Sequence, residues 1–249
     1  VNDRLLGCVF ALSCALVGEG VASREDTDRG AVVGLRWLHG PFAMMNNAGT
    51  PSALALVRRF TERYPSIELS PDLGRLASEG RPWPLSFVEH HVEGSVARIV
   101  VNRPEALNAL NPDVMRQLAE SFSAVNAMPD IETVIFEAVG KAFVAGADIR
   151  FFVDALKEGD FDRIYSFTKR GHVLFNEIAA SEKLTVARVD GMALGGGAEL
   201  ALACQKIIVG RKASFAFPET GIGIYPGLGG TQRLPRRIGK PLARYFILC

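Results

Sequence analysis

The sequence has little with which to hold a metal ion. Its four histidines, His39, His90, His91 and His172, include no pair at i+3 or i+4, and its four cysteines, Cys8, Cys14, Cys204 and Cys249, form no CxxC spacing. A 249-residue chain with 48% hydrophobic content can build a core without disulfide staples, so the thiols are expected reduced, in a cytoplasmic protein. Surplus charge of one sign is also missing, because 28 Lys+Arg stand against 27 Asp+Glu for a net +1. Nucleic-acid backbones require clustered surplus cations, and no basic stripe occurs, which excludes nucleic acid as the main partner. No apolar run approaches the ~20 residues needed to cross a bilayer, so no membrane partner is expected. Residues 5–17 come nearest, but they lack a small-x-small cleavage site and a cationic flank, and they read as a buried helix rather than a signal peptide. Nucleotide fingerprints of the GxGxxG and GxxxxGK[ST] types are absent too.

Glycine, by contrast, is in excess. There are 25, about 10% of the chain against a usual ~7%, and ten of them fall between Gly191 and Gly230. The first 64 residues read as all-helical. Residues 3–19 form one helix, Ser23 with Asp26 opens a second through Leu35, and Thr50-Pro51 opens a third through about Arg63. Pro41 is expected to break any helix between the second and third. Residues 65–85 carry four prolines with little periodicity and read as a linker.

From residue 86 onward short β-rich runs alternate with helices, which places this part in the α/β class. Strands are predicted at residues 95–101, 133–138, 185–189, 206–209 and 213–217, and helices at residues 112–128 (capped by Asn111), 161–181 and 198–204.

Gly195, Gly196 and Gly197 lie between a strand and a helix. Their exposed N–H groups, at a helix N-terminus, could hold a phosphate or a developing oxyanion, or could simply form a loop. Glu199 sits in the first turn of that helix, where it could do no more than offset the dipole, and Glu219 follows Phe217-Pro218, where it could be an exposed loop residue. Residues 141–149 and 223–233 are two further loops rich in small residues, and Asp148 is placed to cap the helix after the first of them.

In collinear order the chain contains N-R-P-x-A-L-N-A-L (Asn102 to Leu110), A-F-x-A-G-A-D-I (Ala142 to Ile149), D-G-x-A-L-G-G-G-x-E-L (Asp190 to Leu200), F-P-E (Phe217 to Glu219) and P-G-x-G-G-T-Q-R-L (Pro226 to Leu234). This set closely resembles the enoyl-CoA hydratase/isomerase, or crotonase, superfamily. The resemblance implies a crotonase-type ββα superhelix over residues 86–249, with the family's C-terminal helices missing. It implies an oxyanion hole from the peptide N–H groups of Ala147 and Gly196, which receives the thioester carbonyl of an acyl-CoA. Glu199 would act as base on a water, Glu219 would deliver a proton to the α-carbon, and Gly227 would lend an N–H to that water. Substrate contacts would come from Ala109, Asp148 and Ile149. The implied reaction is syn hydration of a trans-2-enoyl-CoA to a 3-hydroxyacyl-CoA in fatty-acid β-oxidation, with no cofactor and no metal. Retention of both carboxylates favours a hydratase over an isomerase or another acyl-CoA enzyme of the superfamily. A non-catalytic acyl-CoA-binding or scaffold fragment is the alternative of a different class. Departures from the family pattern are Gln205 for an acid, Glu105 where a basic residue often meets the CoA phosphates, and Leu184-Thr185 for Lys-Pro.

The first quarter of the chain bears its own resemblance. E-G-V-A-S-x-E-D-x-D-R (Glu19 to Arg29) and G-P-F (Gly40 to Phe42) look like the helical C-terminal domain of 3-hydroxyacyl-CoA dehydrogenases, with Asn2 matching a substrate-contacting asparagine. The implied whole is a bifunctional fusion, with a partial dehydrogenase domain at 1–64, a linker at 65–85 and a truncated hydratase domain at 86–249. NAD would bind to a domain not present in this chain. Both chain ends would be interior to a longer, trimer-type homo-oligomer, and the 249-residue piece alone would turn over weakly or not at all.

Overall fold

The computed structural model describes residues 2–249, in two compact units with the boundary at Ser86. The first unit holds α1 (Asn2–Gly18), α2 (Arg24–Arg29), α3 (Pro41–Ala48), α4 (Thr50–Thr61) and α5 (Pro71–Glu79). Helix α1 is apolar all round, yet it buries one face only. Phe10, Ala11 and Cys14 are buried while Leu5, Leu12 and Leu16 are exposed. The Ser23 hydroxyl accepts the Asp26 N–H at 3.0 Å, which starts α2 as its capping spacing predicts. One π-helical turn, Gly30–Gly34, then carries the chain on in place of the single helix expected through Leu35.

The break expected at Pro41 is present, since residues 35–40 are not helical, and Pro41 then opens α3 because proline at the first helical position has no N–H to lose. Asp28 completes that start, accepting the N–H groups of Phe42 (2.7 Å) and Ala43 (2.9 Å). One expectation needs correction in this unit, because residues 65–85 are not a linker. Ser70 caps α5, Pro71 fills its first position, and Leu73, Leu76 and Trp83 are buried in the unit's core beside Phe42 and Met45. The rings of Trp83 and Phe42 meet edge to face at 5.1 Å.

The second unit begins with an antiparallel pair, β1 (Val88–Glu93) and β2 (Val96–Val101). Burial alternates along β2, with Ala97, Ile99 and Val101 inside, which is the period-two pattern of a half-buried strand. Helix α6 (Pro112–Asn126) follows, capped by the Asn111 side chain on the Val114 N–H at 2.8 Å. Next come β3 (Thr133–Ala138), β4 (Ala142–Ala145), α7 (Ile149–Glu158) and α8 (Phe161–Ala180). The rest is β5 (Leu184–Val189), β6 (Met192–Leu194), α9 (Gly196–Ala203), β7 (Lys206–Val209), β8 (Ser214–Ala216), α10 (Gly230–Ile238) and α11 (Lys240–Leu248).

Strand order makes the architecture plain. One sheet runs β1-β2-β3-β5-β7, the other β4-β6-β8, and all pairings after the first hairpin are parallel. Each successive strand pair therefore contributes its first strand to one sheet and its second to the other, as in an α/β superhelix of ββα turns. Every residue of α9 is buried. A polar side chain on that helix faces other protein groups rather than bulk water. No helix among the described residues is long and apolar enough to cross a membrane.

Candidate active site

Gly195 caps α9 at φ 48°, ψ −118°, a backbone conformation that favours glycine. The two residues after it are held tightly. A Cβ on Gly197 would collide with the carbonyl of Val144 on β4, whereas a Cβ on Gly196 would stand 3.2 Å from the Leu110 and Leu228 methyls and 3.8 Å from the Ala147 amide nitrogen. Gly196 and Ala147 thus adjoin one space walled by two leucines. First-turn N–H groups of a helix have no intrahelical acceptor, and Gly196 is the first residue of α9. At Ala147 the bridge to Leu110 is made by its neighbours, Leu110 N to Gly146 O at 2.9 Å and Asp148 N to Leu110 O at 2.8 Å. The Ala147 N–H stands outside that pairing.

The segment leading into β4, the strand before Ala147, is anchored by Asn108, which is fully buried with φ 58°. Its amide nitrogen donates to the carbonyls of Val139 and Ala142, each at 2.8 Å, and its oxygen accepts the Arg103 N–H. Arg103 also reaches Asp148 Oδ2 at 2.9 Å and the Ala109 carbonyl at 3.1 Å. Asp148 caps α7 through the Arg150 N–H. Ile149 beside it is exposed, and Ala109 is buried.

Glu199 is 1% exposed, on the first turn of α9. Its Oε1 accepts two backbone N–H groups, Leu228 at 2.8 Å and Gly230 at 2.7 Å. Burial pushes its carboxyl up to about 7. The two N–H bonds and the Arg233 cation oppose that rise, while Glu219 adds to it. Glu219 is not an exposed loop residue. It is buried, in a short 3₁₀ turn (Pro218–Ile222), and its carboxyl lies against Gly195, where an added Cβ would come 2.7 Å from Oε1. Burial raises its pKa as well. Glu219 Oε2 is buried with no hydrogen-bond partner in the protein.

The two carboxyls are bonded differently. Two N–H donors on Glu199 and the Glu219 backbone N–H on Glu219 favour the ionised forms, burial opposes ionisation of both, and only Glu219 carries an orphaned oxygen. Gly227 offers its carbonyl to His172 Nε2. Glu199, Glu219, Gly196, Ala147 and the 227–230 loop all belong to the second unit, while Asn2 belongs to the first. Spacing did not single out Asn108, Asn176, Arg233 or His172. Asn108 left one signal, an asparagine able to take up the left-handed conformation between Leu107 and Ala109.

A family model described as enoyl-CoA hydratase/isomerase matches residues 91–249. Among curated proteins, the chain is 42% identical over 158 residues to the crotonyl-CoA hydratase of Syntrophomonas wolfei, covering 62% of this chain and 58% of that protein. It is 40% identical over 156 residues to the short-chain-enoyl-CoA hydratase of Clostridium acetobutylicum, with the same two coverages of 62% and 58%. The chain thus spans 58% of the length of these relatives. Among solved structures, the enoyl-CoA hydratase from Bacillus halodurans superposes with a TM-score of 0.63 at 29% identity, over 66% of this chain and 65% of that one. The Bacillus anthracis enoyl-CoA hydratase gives 0.61 at 30% identity, over 65% and 62%. With the ββα superhelix, the paired amides and the paired carboxylates in place, the family match over residues 91–249 shows that the chain belongs to the enoyl-CoA hydratase/isomerase family.

Proposed function

We propose that the second unit hydrates trans-2-enoyl-CoA to 3-hydroxyacyl-CoA. The observation that carries this reading is the complementary pair of buried carboxyls, Glu199 with two N–H donors and Glu219 with none on Oε2. The thioester carbonyl accepts hydrogen bonds from the Ala147 and Gly196 N–H groups, which stabilise the enolate oxygen as it develops. Each such donor contributes roughly 3–4 kcal/mol to the transition state. Glu199 takes a proton from water while the water oxygen bonds to the β-carbon. The π electrons move onto the thioester oxygen, and their return accompanies proton delivery from Glu219 to the α-carbon. One water is consumed, and the two carboxyls end with their proton exchanged. No cofactor enters this balance. Gly227 lies beside the Leu228 amide that holds Glu199, in reach of the role of lending an N–H to the water.

Retention of both carboxyls supports hydration over double-bond isomerisation, which needs a proton shuttle but no water activation. The test is loss of the conjugated-enoyl absorbance on adding crotonyl-CoA to the protein at full natural length. Turnover of a 3-enoyl-CoA without hydration of the 2-enoyl isomer would instead establish an isomerase, and binding without product a scaffold. We propose further that residues 1–64 derive from a 3-hydroxyacyl-CoA dehydrogenase helical domain, on the strength of the Glu19 to Arg29 and Gly40 to Phe42 motifs. NAD-dependent oxidation of the hydration product by the protein at full natural length would support that fusion. Absence of that oxidation would count against it.

A further inference from the structure

We infer that His172, Asn176 and Arg233 form one clamp on the glycine loop 227–230 and act as positioning residues for the Glu199 carboxyl, an inference that rests on the reading of Glu199 as the base. His172 and Asn176 lie one turn apart on α8, on one face. A carbonyl can only accept, so His172 donates from Nε2 to the Gly227 oxygen. The same peptide group presents its N–H, that of Leu228, to Glu199 Oε1 at 2.8 Å. Both ends of one amide are therefore bonded, and each bond polarises the other.

The next peptide, Leu228–Gly229, is held at its carbonyl. Arg233 Nη1 donates to the Leu228 carbonyl at 2.9 Å, and Arg233 Nη2 donates to Asn176 Oδ1 at 2.6 Å. The Gly230 N–H then reaches Glu199 Oε1 at 2.7 Å. Gly229, between them, has φ 106°, and a Cβ there would collide with the Arg233 guanidinium. The guanidinium thus lies directly on the loop. Of the two N–H groups that fix Glu199, that of Gly230 starts α10 and that of Leu228 lies on the glycine-flanked loop before it, for which α8 supplies a fixed reference.

Charge adds a second effect from the same side chain. The charged groups acting on Glu199 are the Arg233 cation, which favours ionisation, and the Glu219 carboxyl, which opposes it. Arg233 is thus placed to set both the orientation of the carboxylate and the pH at which it forms.

The test compares Arg233→Met, Arg233→Lys, Asn176→Ala and His172→Ala in the protein at full natural length. Two readouts are taken: kcat and KM for crotonyl-CoA against pH, and the Glu199 titration midpoint from carboxyl-¹³C glutamate resonances, assigned with Glu199→Gln. Arg233→Met is expected to raise the midpoint by about one pH unit and to lower kcat by about 10- to 100-fold, with KM changed less than about 3-fold. Arg233→Lys should restore the midpoint but not kcat, because an ammonium cannot span both the Leu228 carbonyl and Asn176 as a planar fork does. Asn176→Ala and His172→Ala should lower kcat by about 3- to 10-fold each. If all variants lose activity only in proportion to their unfolded fraction, with the midpoint unmoved, the clamp is purely structural and the inference is overturned. Should Arg233→Met fail to fold, unchanged kcat and midpoint in the two α8 variants overturn it equally. A protein that hydrates nothing but whose midpoint moves in Arg233→Met would sink the hydratase reading and leave the clamp standing.

Discussion

Glu199→Gln and Glu219→Gln are each expected to lower the hydration rate by about 10³-fold or more while leaving the second unit folded, since general acid–base groups typically contribute 10²–10⁴-fold apiece. Gln at 199 can still accept the Leu228 and Gly230 N–H groups through its amide oxygen, so the loop keeps its anchor. What it loses is basicity. Gln at 219 cannot deliver a proton, but it gives the buried, partnerless Oε2 position a neutral group. The stability change has a definite sign. The folded-state pKa of Glu199 is raised to about 7 from an unfolded value near 4.3, so its contribution to folding is fully present below about pH 4 and is lost as pH rises through 7. That difference corresponds to roughly 3 to 4 kcal/mol, which Gln does not forfeit. Relative to wild type, Glu199→Gln should therefore gain stability between pH 5 and 8 while remaining inactive. Denaturant midpoints taken across that range, beside rates, separate lost chemistry from lost fold. A Gln variant that is inactive because it unfolds at pH 8 would contradict the assignment.

Gly197→Ala and Gly196→Ala should fail in different ways although they are adjacent. At 197 the new methyl meets a backbone carbonyl of β4, which cannot swing aside as a side chain can. Helix α9 or β4 must shift, at a cost of about 3 kcal/mol or more, and Glu199 moves with the helix. At 196 the nearest atoms are leucine methyls at 3.2 Å, which can yield. There the methyl stands 3.8 Å from the Ala147 nitrogen, in the space where a carbonyl oxygen would have to bond both amides. Gly196→Ala is expected to keep its thermal midpoint within about 3 °C and to lose about 100-fold in rate. Gly197→Ala should lose more than about 5 °C in a unit of this size. A Gly197→Ala variant with a wild-type midpoint would show that α9 does not pack as described.

The strands at residues 133–138 and 206–209 were legible because β-branched residues dominate them and turn residues bound them. Strands β4 and β6 were not, being three or four residues long and built partly of alanine and methionine. Strand β1 escaped because five of its six residues are exposed and four of them are charged or histidine, so no apolar alternation marks it. Helices α3 and α5 were hidden behind prolines that turned out to occupy first helical positions. At the site, Glu199 and Glu219 were singled out as carboxylates, but their convergence depends on β7 and β8 doubling the chain back between them. Only the whole series of motifs implied that convergence. The clamp was out of reach in a different way: His172 and Asn176 are ordinary helix residues whose partners lie 55 and 57 positions further along.

Stereochemistry in heavy water tests the central claim most directly. If Glu199 activates the water that becomes the hydroxyl and Glu219 delivers its own exchangeable proton from the same face of the double bond, trans-2-enoyl-CoA in D₂O must give a 3-hydroxyacyl-CoA with a single deuterium at C2, syn to the new hydroxyl. Coupling constants in the proton spectrum of the product read this out. The account predicts syn addition, abolished in both Gln variants. Anti addition, random deuterium at C2, or full activity in either variant would contradict it.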